Sequence, residues 1–288
     1  MLYSLLYIFV SVFAVIVVQY VTVFSNISPA IALACTNLFA IIIFNILNIK
    51  RAFVVYAQLK EKSYVRSVIL VNIYISVLWF GYYYAVQMCG SSRFILLCYL
   101  SVSIPAGLLA NQLKKTIPVI IIIMIYFMEC VHSSQVMFGS LISLVAGIAT
   151  FYYFRESEIL HKRHHSTSLD VLSLRFYLVF ILSAILSFKS GIQQLNLSVF
   201  GGMFFLSLLT IVIPLYLAQI GITKIGAKKH SFLITFLPVL TYIGENLAYH
   251  DLSWQLFILS ILPPIILNVS YFKLLKQIIF KRLSIRVK

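Results

Sequence analysis

Three kinds of side chain in this chain stand where their chemistry is costly to leave unused. The first kind is charge inside apolar runs. Arg175 falls about five residues into a long apolar stretch. A cation in hydrocarbon costs about 2.5–3.5 kcal/mol on insertion scales, so it marks a substrate contact or a partnered structural group. It would suit a carboxylate on a substrate, or else its long stem would carry the charge back to the headgroups. Glu245 lies late in another apolar stretch and would bind a proton or an amine, or face water at a helix end. Glu129 and His132 are three residues apart, the spacing of one helical face. A Glu/His pair there would relay protons; an ordinary polar helix end is the alternative.

The second kind is aromatic. Tyr83 and Tyr216 open two similar runs, Tyr83-Tyr84-Ala85-Val86-Gln87 and Tyr216-Leu217-Ala218-Gln219. Matched tyrosines of this sort are candidate cavity walls, offering stacking or cation–π contact. The third kind is amide: Asn37, Asn72 and Gln87 sit in apolar surroundings and would either touch substrate or hydrogen-bond between helices.

The elements that must position these groups are membrane helices. The chain is 62% hydrophobic and 10% charged, against roughly a quarter charged in soluble domains. Its longest polar stretch, 155–170, is too short to fold alone. Runs of about 20 apolar residues cross the hydrocarbon as helices, and unbroken apolarity excludes barrel strands, which alternate. Ten spans are predicted, near 3–23, 29–48, 67–87, 93–112, 117–133, 135–154, 170–188, 198–221, 230–249 and 254–272. The first lacks the basic flank and cleavage site of a signal peptide and is expected to be retained. Pro105, Pro214 and Pro238 lie inside predicted spans and are candidate helix kinks; Pro263–Pro264 is a further interruption.

Charge orients the spans. All but three of the 22 Lys and Arg gather in alternate links and in the tail; Arg93, Arg175 and Lys189 are the remainder. Basic links face the cytoplasm, so both termini are expected there, in a multi-pass protein of a bacterial inner (plasma) membrane. The net charge of +15, spread over short links, fits anionic lipid headgroups rather than nucleic acid. The 51–66 link and the 274–288 tail mix apolar and basic residues, as interfacial helices or solvated flanks do.

Ten spans divide into five and five, so a second half would enter the membrane inverted. Inverted repeats are characteristic of secondary transporters, with the substrate site between halves. The expected units are 1–133, 134–273 and the basic tail 274–288. The stretch Gly226-Ala227-Lys228-Lys229-His230 through Pro238-Val239, followed by Gly244-Glu245 and Trp254-Gln255, resembles the EamA-like members of the drug/metabolite transporter superfamily. Tyr82–Ala85 and Phe138-Gly139-Ser140-Leu141 resemble them too. That resemblance implies an all-α fold of two inverted five-helix repeats. It also implies movement of amino acids, drugs, nucleotide sugars or cofactors.

The chain departs from the family pattern in its first half. Thr36-Asn37-Leu38 stands where the second half has Leu174-Arg175-Phe176, and Asn111-Gln112 stands in place of Gly-Glu. Pro238 has Tyr99-Leu100-Ser101 at its counterpart, with Pro105 a turn later.

The function expected from these features is export or exchange of an amino acid or related metabolite by alternating access. An importer of a cofactor or nucleotide-like metabolite on the same scaffold is the alternative. A membrane enzyme or non-transporting partner subunit is the alternative of another class. No H-E-x-x-H, P-loop or G-x-S-x-G motif is present. No catalytic role, cofactor or metal is therefore expected, and His161, His164 and His165 lack Cys or a well-spaced carboxylate for zinc. The expected partners are a small-molecule substrate and the bilayer, in a monomer or homodimer. Cys35, Cys89, Cys98 and Cys130 form no C-x-x-C pair and read as small packing residues.

Overall fold

The computed structural model describes residues 2–25, 27–109, 113–190, 197–225, 234–250 and 253–267. Helix α1 (Leu2–Gln19) runs on into a π-helical turn, Tyr20–Phe24, and α2 covers Pro29–Leu47. Next come short α3 (Ala52–Gln58), α4 (Lys62–Cys89), α5 (Ser91–Leu109) and α6 (Leu113–Glu129). Long α7 (Ser134–His164) precedes α8 (Ser168–Leu174) and α9 (Tyr177–Ser190). Helix α10 (Leu197–Ser207) passes through a π turn, Leu208–Val212, into α11 (Ile213–Ile225). Helices α12 (Leu237–Tyr249) and α13 (Trp254–Leu267) complete the described chain.

Helix fills most of the described part of every predicted span, and no strand occurs among the described residues. Among the described residues, seven segments are long and apolar enough to cross a membrane: 2–24, 29–47, 62–89, 91–109, 134–164, 168–188 and 198–218. Large apolar side chains on their outer faces are exposed, among them Phe9, Phe13, Phe188 and Phe205. Such surfaces are stable only in lipid, where a helix satisfies its own backbone polar groups. The chain is an all-helical, multi-pass membrane protein.

Starts and stops follow local chemistry. Pro29 begins α2, where a missing N–H is harmless. Ser133 accepts from Val136 N–H (3.2 Å) and caps α7, which ends on His165 in the left-handed region (φ 52°). Thr167 and Asp170 form a reciprocal capping box at α8.

The structure relocates several predicted boundaries. Helix α6 ends at Glu129, so His132 lies in the following link and the expected Glu129/His132 helical face does not form. Helix α7 continues ten residues past the predicted end of span six, carrying its polar end as helix. Pro238 stands in the first turn of α12, where it kinks nothing. Pro214 opens α11 directly after the π turn, which takes up the lost hydrogen bond. Pro105 remains inside α5. The tail 274–288 and the stretch 226–233 lie outside the described residues.

In lipid, helices associate through close packing rather than hydrophobic expulsion. Helix α4 packs along α7, and α5 packs on the other side of α7. Small residues permit this. A Cβ on Gly81 would sit 2.6 Å from Ala146 Cβ, and one on Gly147 would collide with Cys98 O. Further neighbours are α2 with α9 and α10, α1 with α11 and α12, and α4 with α9. Helix α5 meets α6 and α12, and α13 meets α6 and α12. The main apolar core lies where α1, α2, α4, α5, α7 and α9 meet. A second cluster joins α5, α6, α12 and α13 around Leu97, Tyr126 and Leu259.

Candidate functional site

The span 168–188 is not one continuous helix. Its ladder breaks between α8 and α9, at Arg175–Phe176. No proline or glycine lies there. The cause is a side chain from α4: Asn72 Nδ2 donates to Leu174 O (2.8 Å), and Leu178 N–H donates to Asn72 Oδ1 (3.3 Å). Leu178 N to Leu174 O is the bond a regular helix would make. The carboxamide of Asn72 is inserted into that bond and replaces it, a recognised way to kink a helix. Two amides of α2 and its end hold the same segment. Asn45 Nδ2 reaches Ser173 O (3.3 Å) and Tyr177 Oη (3.1 Å), and Asn48 Nδ2 reaches Asp170 Oδ1 (3.1 Å) and Ser173 Oγ (3.2 Å).

The break turns Arg175 inward. Its side chain is only 2% exposed, so it does not reach back to the headgroups. The guanidinium carbon stands 4.8 Å from the Phe176 ring centroid and 5.2 Å from that of Tyr153. Nη1 donates to the Tyr153 hydroxyl. Nε and Nη2 are buried with no hydrogen-bond partner among the described residues. Asp170, the nearest acid in sequence, is already taken. It binds Arg51 through Nε (3.2 Å) and Nη2 (3.1 Å), together with Asn48 and the Thr167 N–H (2.7 Å).

A second polar cluster sits deep among α2, α4 and α5. Tyr83 is fully buried, its hydroxyl 3.3 Å from Thr36 Oγ1. Trp79 meets Tyr82 edge-on at 5.4 Å, and Tyr82 lies 5.0 Å from Phe94. Asn37 donates to Leu33 O (2.8 Å), but Asn37 Oδ1 is buried with no hydrogen-bond partner among the described residues, as is Trp79 Nε1. Each is a buried polar atom of the kind a ligand or an ordered water would satisfy.

Glu245 has a structural task. Its carboxylate receives the N–H groups of Ser91 (3.2 Å) and Ser92 (2.8 Å) and the Ser92 hydroxyl, capping α5 from α12. Gln19 Oε1 receives the Ser91 N–H (2.8 Å) and hydroxyl. A helix N-terminus favours such a charge. Gly90 makes the turn at φ 85°, and a Cβ there would lie 2.8 Å from Glu245 Oε1.

Other sequence candidates stand apart. Tyr216 is 47% exposed, on the outside of the bundle, while its expected match Tyr83 is internal. Glu129 is exposed. His164 Nδ1 lies 3.3 Å from Glu61, and His161 Nδ1 lies 2.8 Å from Ser166 O. All four cysteines are buried and unbridged. Sequence reasoning passed over Tyr153, Trp79 and Gln19. Only an aromatic residue in an apolar helix signals the first two.

These features define a polytopic helical membrane protein with polar groups sequestered at a broken helix. No protein-family model matches the chain, and no curated protein matches it.

Proposed function

We propose that the chain is a secondary transporter of a small organic metabolite, built as two inverted five-helix repeats, 1–133 and 134–273, of the EamA-like type. The observation that carries this reading is how the helices pair. Let α1 correspond to α7, α2 to α8–α9, α4 to α10–α11, α5 to α12 and α6 to α13. The contact of α4 with α7 then corresponds to that of α11 with α1, and α5 with α7 to α12 with α1. Likewise α2 with α10 corresponds to α9 with α4, and α5 with α6 to α12 with α13. The pairs α2–α9, α5–α12 and α6–α13 correspond to themselves. Such exchange is what a two-fold axis in the membrane plane produces.

One hydrogen-bond pair supports the same register. Leu174 O receives Asn72 Nδ2 from α4, and Thr36 O receives Ser207 Oγ (2.7 Å) from α10. Thr36-Asn37 and Leu174-Arg175 are the stretches matched by sequence. A broken helix buried within the bundle is also how transporters of this kind place irregular backbone beside a substrate.

The proposed cargo is an amino acid or related amphipathic compound, exported or exchanged by alternating access. Its polar atoms would meet Asn37 Oδ1 and Trp79 Nε1, and its carboxylate would meet Arg175. Flux into proteoliposomes tests this. Purified protein is expected to give saturable movement of at least one compound in an amino-acid panel. Arg175→Ala is expected to lower it at least about tenfold while inserting normally, as loss of a charge-assisted contact would. Absence of saturable flux across a broad metabolite panel contradicts the proposal.

A further inference from the structure

Arg175, which the transport reading offers to a cargo carboxylate, also borders a small, partly open space whose own contents can be tested apart from flux. The space lies between the end of α7 and the start of α8, with a volume of about 30 Å³, walled by Tyr153, Ser157, His161, Ser166, Thr167 and Arg175. That is room for about two waters or one small ion. Arg175 enters it as a buried cation with no carboxylate within 4.0 Å among the described residues, its Nε and Nη2 unmet. Ser157 Oγ is likewise buried with no hydrogen-bond partner there. His161 is exposed, so the rim is reachable from water.

We propose that this cavity is a binding site for one small monovalent anion, a halide or a carboxylate group of formate size. The electrostatic reason is direct. A desolvated guanidinium favours a counter-ion over neutral water, and its two unmet nitrogens and the Ser157 hydroxyl belong to residues that wall the same space. The cation–π contacts to Tyr153 and Phe176 neutralise no charge, so they hold Arg175 in place without satisfying it. A single positive charge and a space this size select against phosphate and sulfate.

Equilibrium binding to the full chain in detergent tests the site without any transport, so a failure of the flux reading would leave this result standing. Radiolabelled chloride and radiolabelled formate are titrated separately, with gluconate holding ionic strength constant. The expected result is saturable binding near one ion per chain. Saturation by both probes, with mutual competition, assigns a general monovalent anion site; saturation by formate alone assigns a carboxylate site. Arg175→Met removes the charge, and Ser157→Leu fills the space while leaving Arg175 in place. Each is expected to weaken binding at least about tenfold. Should Arg175→Met not fold, Ser157→Leu decides. No saturation in the wild-type chain, or unchanged affinity in either folded variant, overturns the proposal.

Discussion

Helix α2 and the α8–α9 segment pack against each other, yet one is continuous and the other is broken. Both receive a side-chain hydrogen bond from a neighbouring helix on a mid-span carbonyl, Thr36 O in one and Leu174 O in the other. The donors differ. Ser207 gives α2 a hydroxyl, which shares the carbonyl and leaves the ladder closed. Asn72 gives α8–α9 a carboxamide, whose donor and acceptor ends match the two groups of one helical bond. It can therefore stand in for that bond, and the helix opens. The residue at the opening is Arg175, whereas the residue after Thr36 is the neutral Asn37. The comparison teaches that a broken membrane helix needs no proline. It needs a neighbour able to satisfy both freed groups.

The sharpest way to break this comparison is Asn72→Ala. Both Leu174 O and Leu178 N–H lose their partner, or they pair with each other and straighten the segment. Flux is expected to fall at least about tenfold, and unfolding in detergent to show a loss of about 1–3 kcal/mol. Asn72→Asp keeps the acceptor and loses the donor, so it is expected to lie between. An unchanged unfolding midpoint in Asn72→Ala would remove the carboxamide as the cause of the break.

Glu245→Ala comes next. It strips the cap from α5 and is expected to cost about 1–2 kcal/mol, with Glu245→Gln retaining part of that. A proton-carrying Glu245 would instead give a shifted pH profile of flux with little change in stability. Ser207→Ala is smaller, about 0.6 kcal/mol, the average for such bonds between membrane helices. If it matched Asn72→Ala, the contrast between hydroxyl and carboxamide would fail.

The smallest effect lies outside the membrane. The Ser63 hydroxyl, and then His164, hold the Glu61 carboxyl below its ordinary value. A lowered folded-state value gives stability that is present above the ordinary carboxylate range and lost as pH falls through the lowered one. Ser63→Ala is expected to move that loss to higher pH. The measurement is hydrogen exchange at residues 58–63 against pH; coincident curves for the two proteins would contradict the assignment.

Apolar helices were legible because twenty apolar residues leave a chain few other folds, and seven of those described are long enough to span; Arg175 was legible as a charge within one of them. The break beside it was not. Ser173–Phe176 contains no helix breaker, and the residue responsible lies 102 positions away in sequence. Glu245 was legible as an acid late in an apolar stretch but not as a cap, because the amides it binds belong to α5. Tyr216 was matched to Tyr83 by neighbouring letters, and a matched letter does not fix which way a helix faces. Pro238 resembled a kink because the turn at Thr235–Phe236, just ahead of α12, leaves no pattern in apolarity.

The inverted layout is tested most directly by which side each link faces. Single cysteines placed at the exposed positions Lys60, His132, His165 and His250, in a background lacking Cys35, Cys89, Cys98 and Cys130, would be probed with a membrane-impermeant thiol reagent on intact cells and on inside-out vesicles. Labelling of positions 132 and 250 only from outside, and of 60 and 165 only from the cytoplasmic face, is the expected result. Labelling of 132 and 250 from opposite faces would contradict two five-pass units threaded in opposite senses.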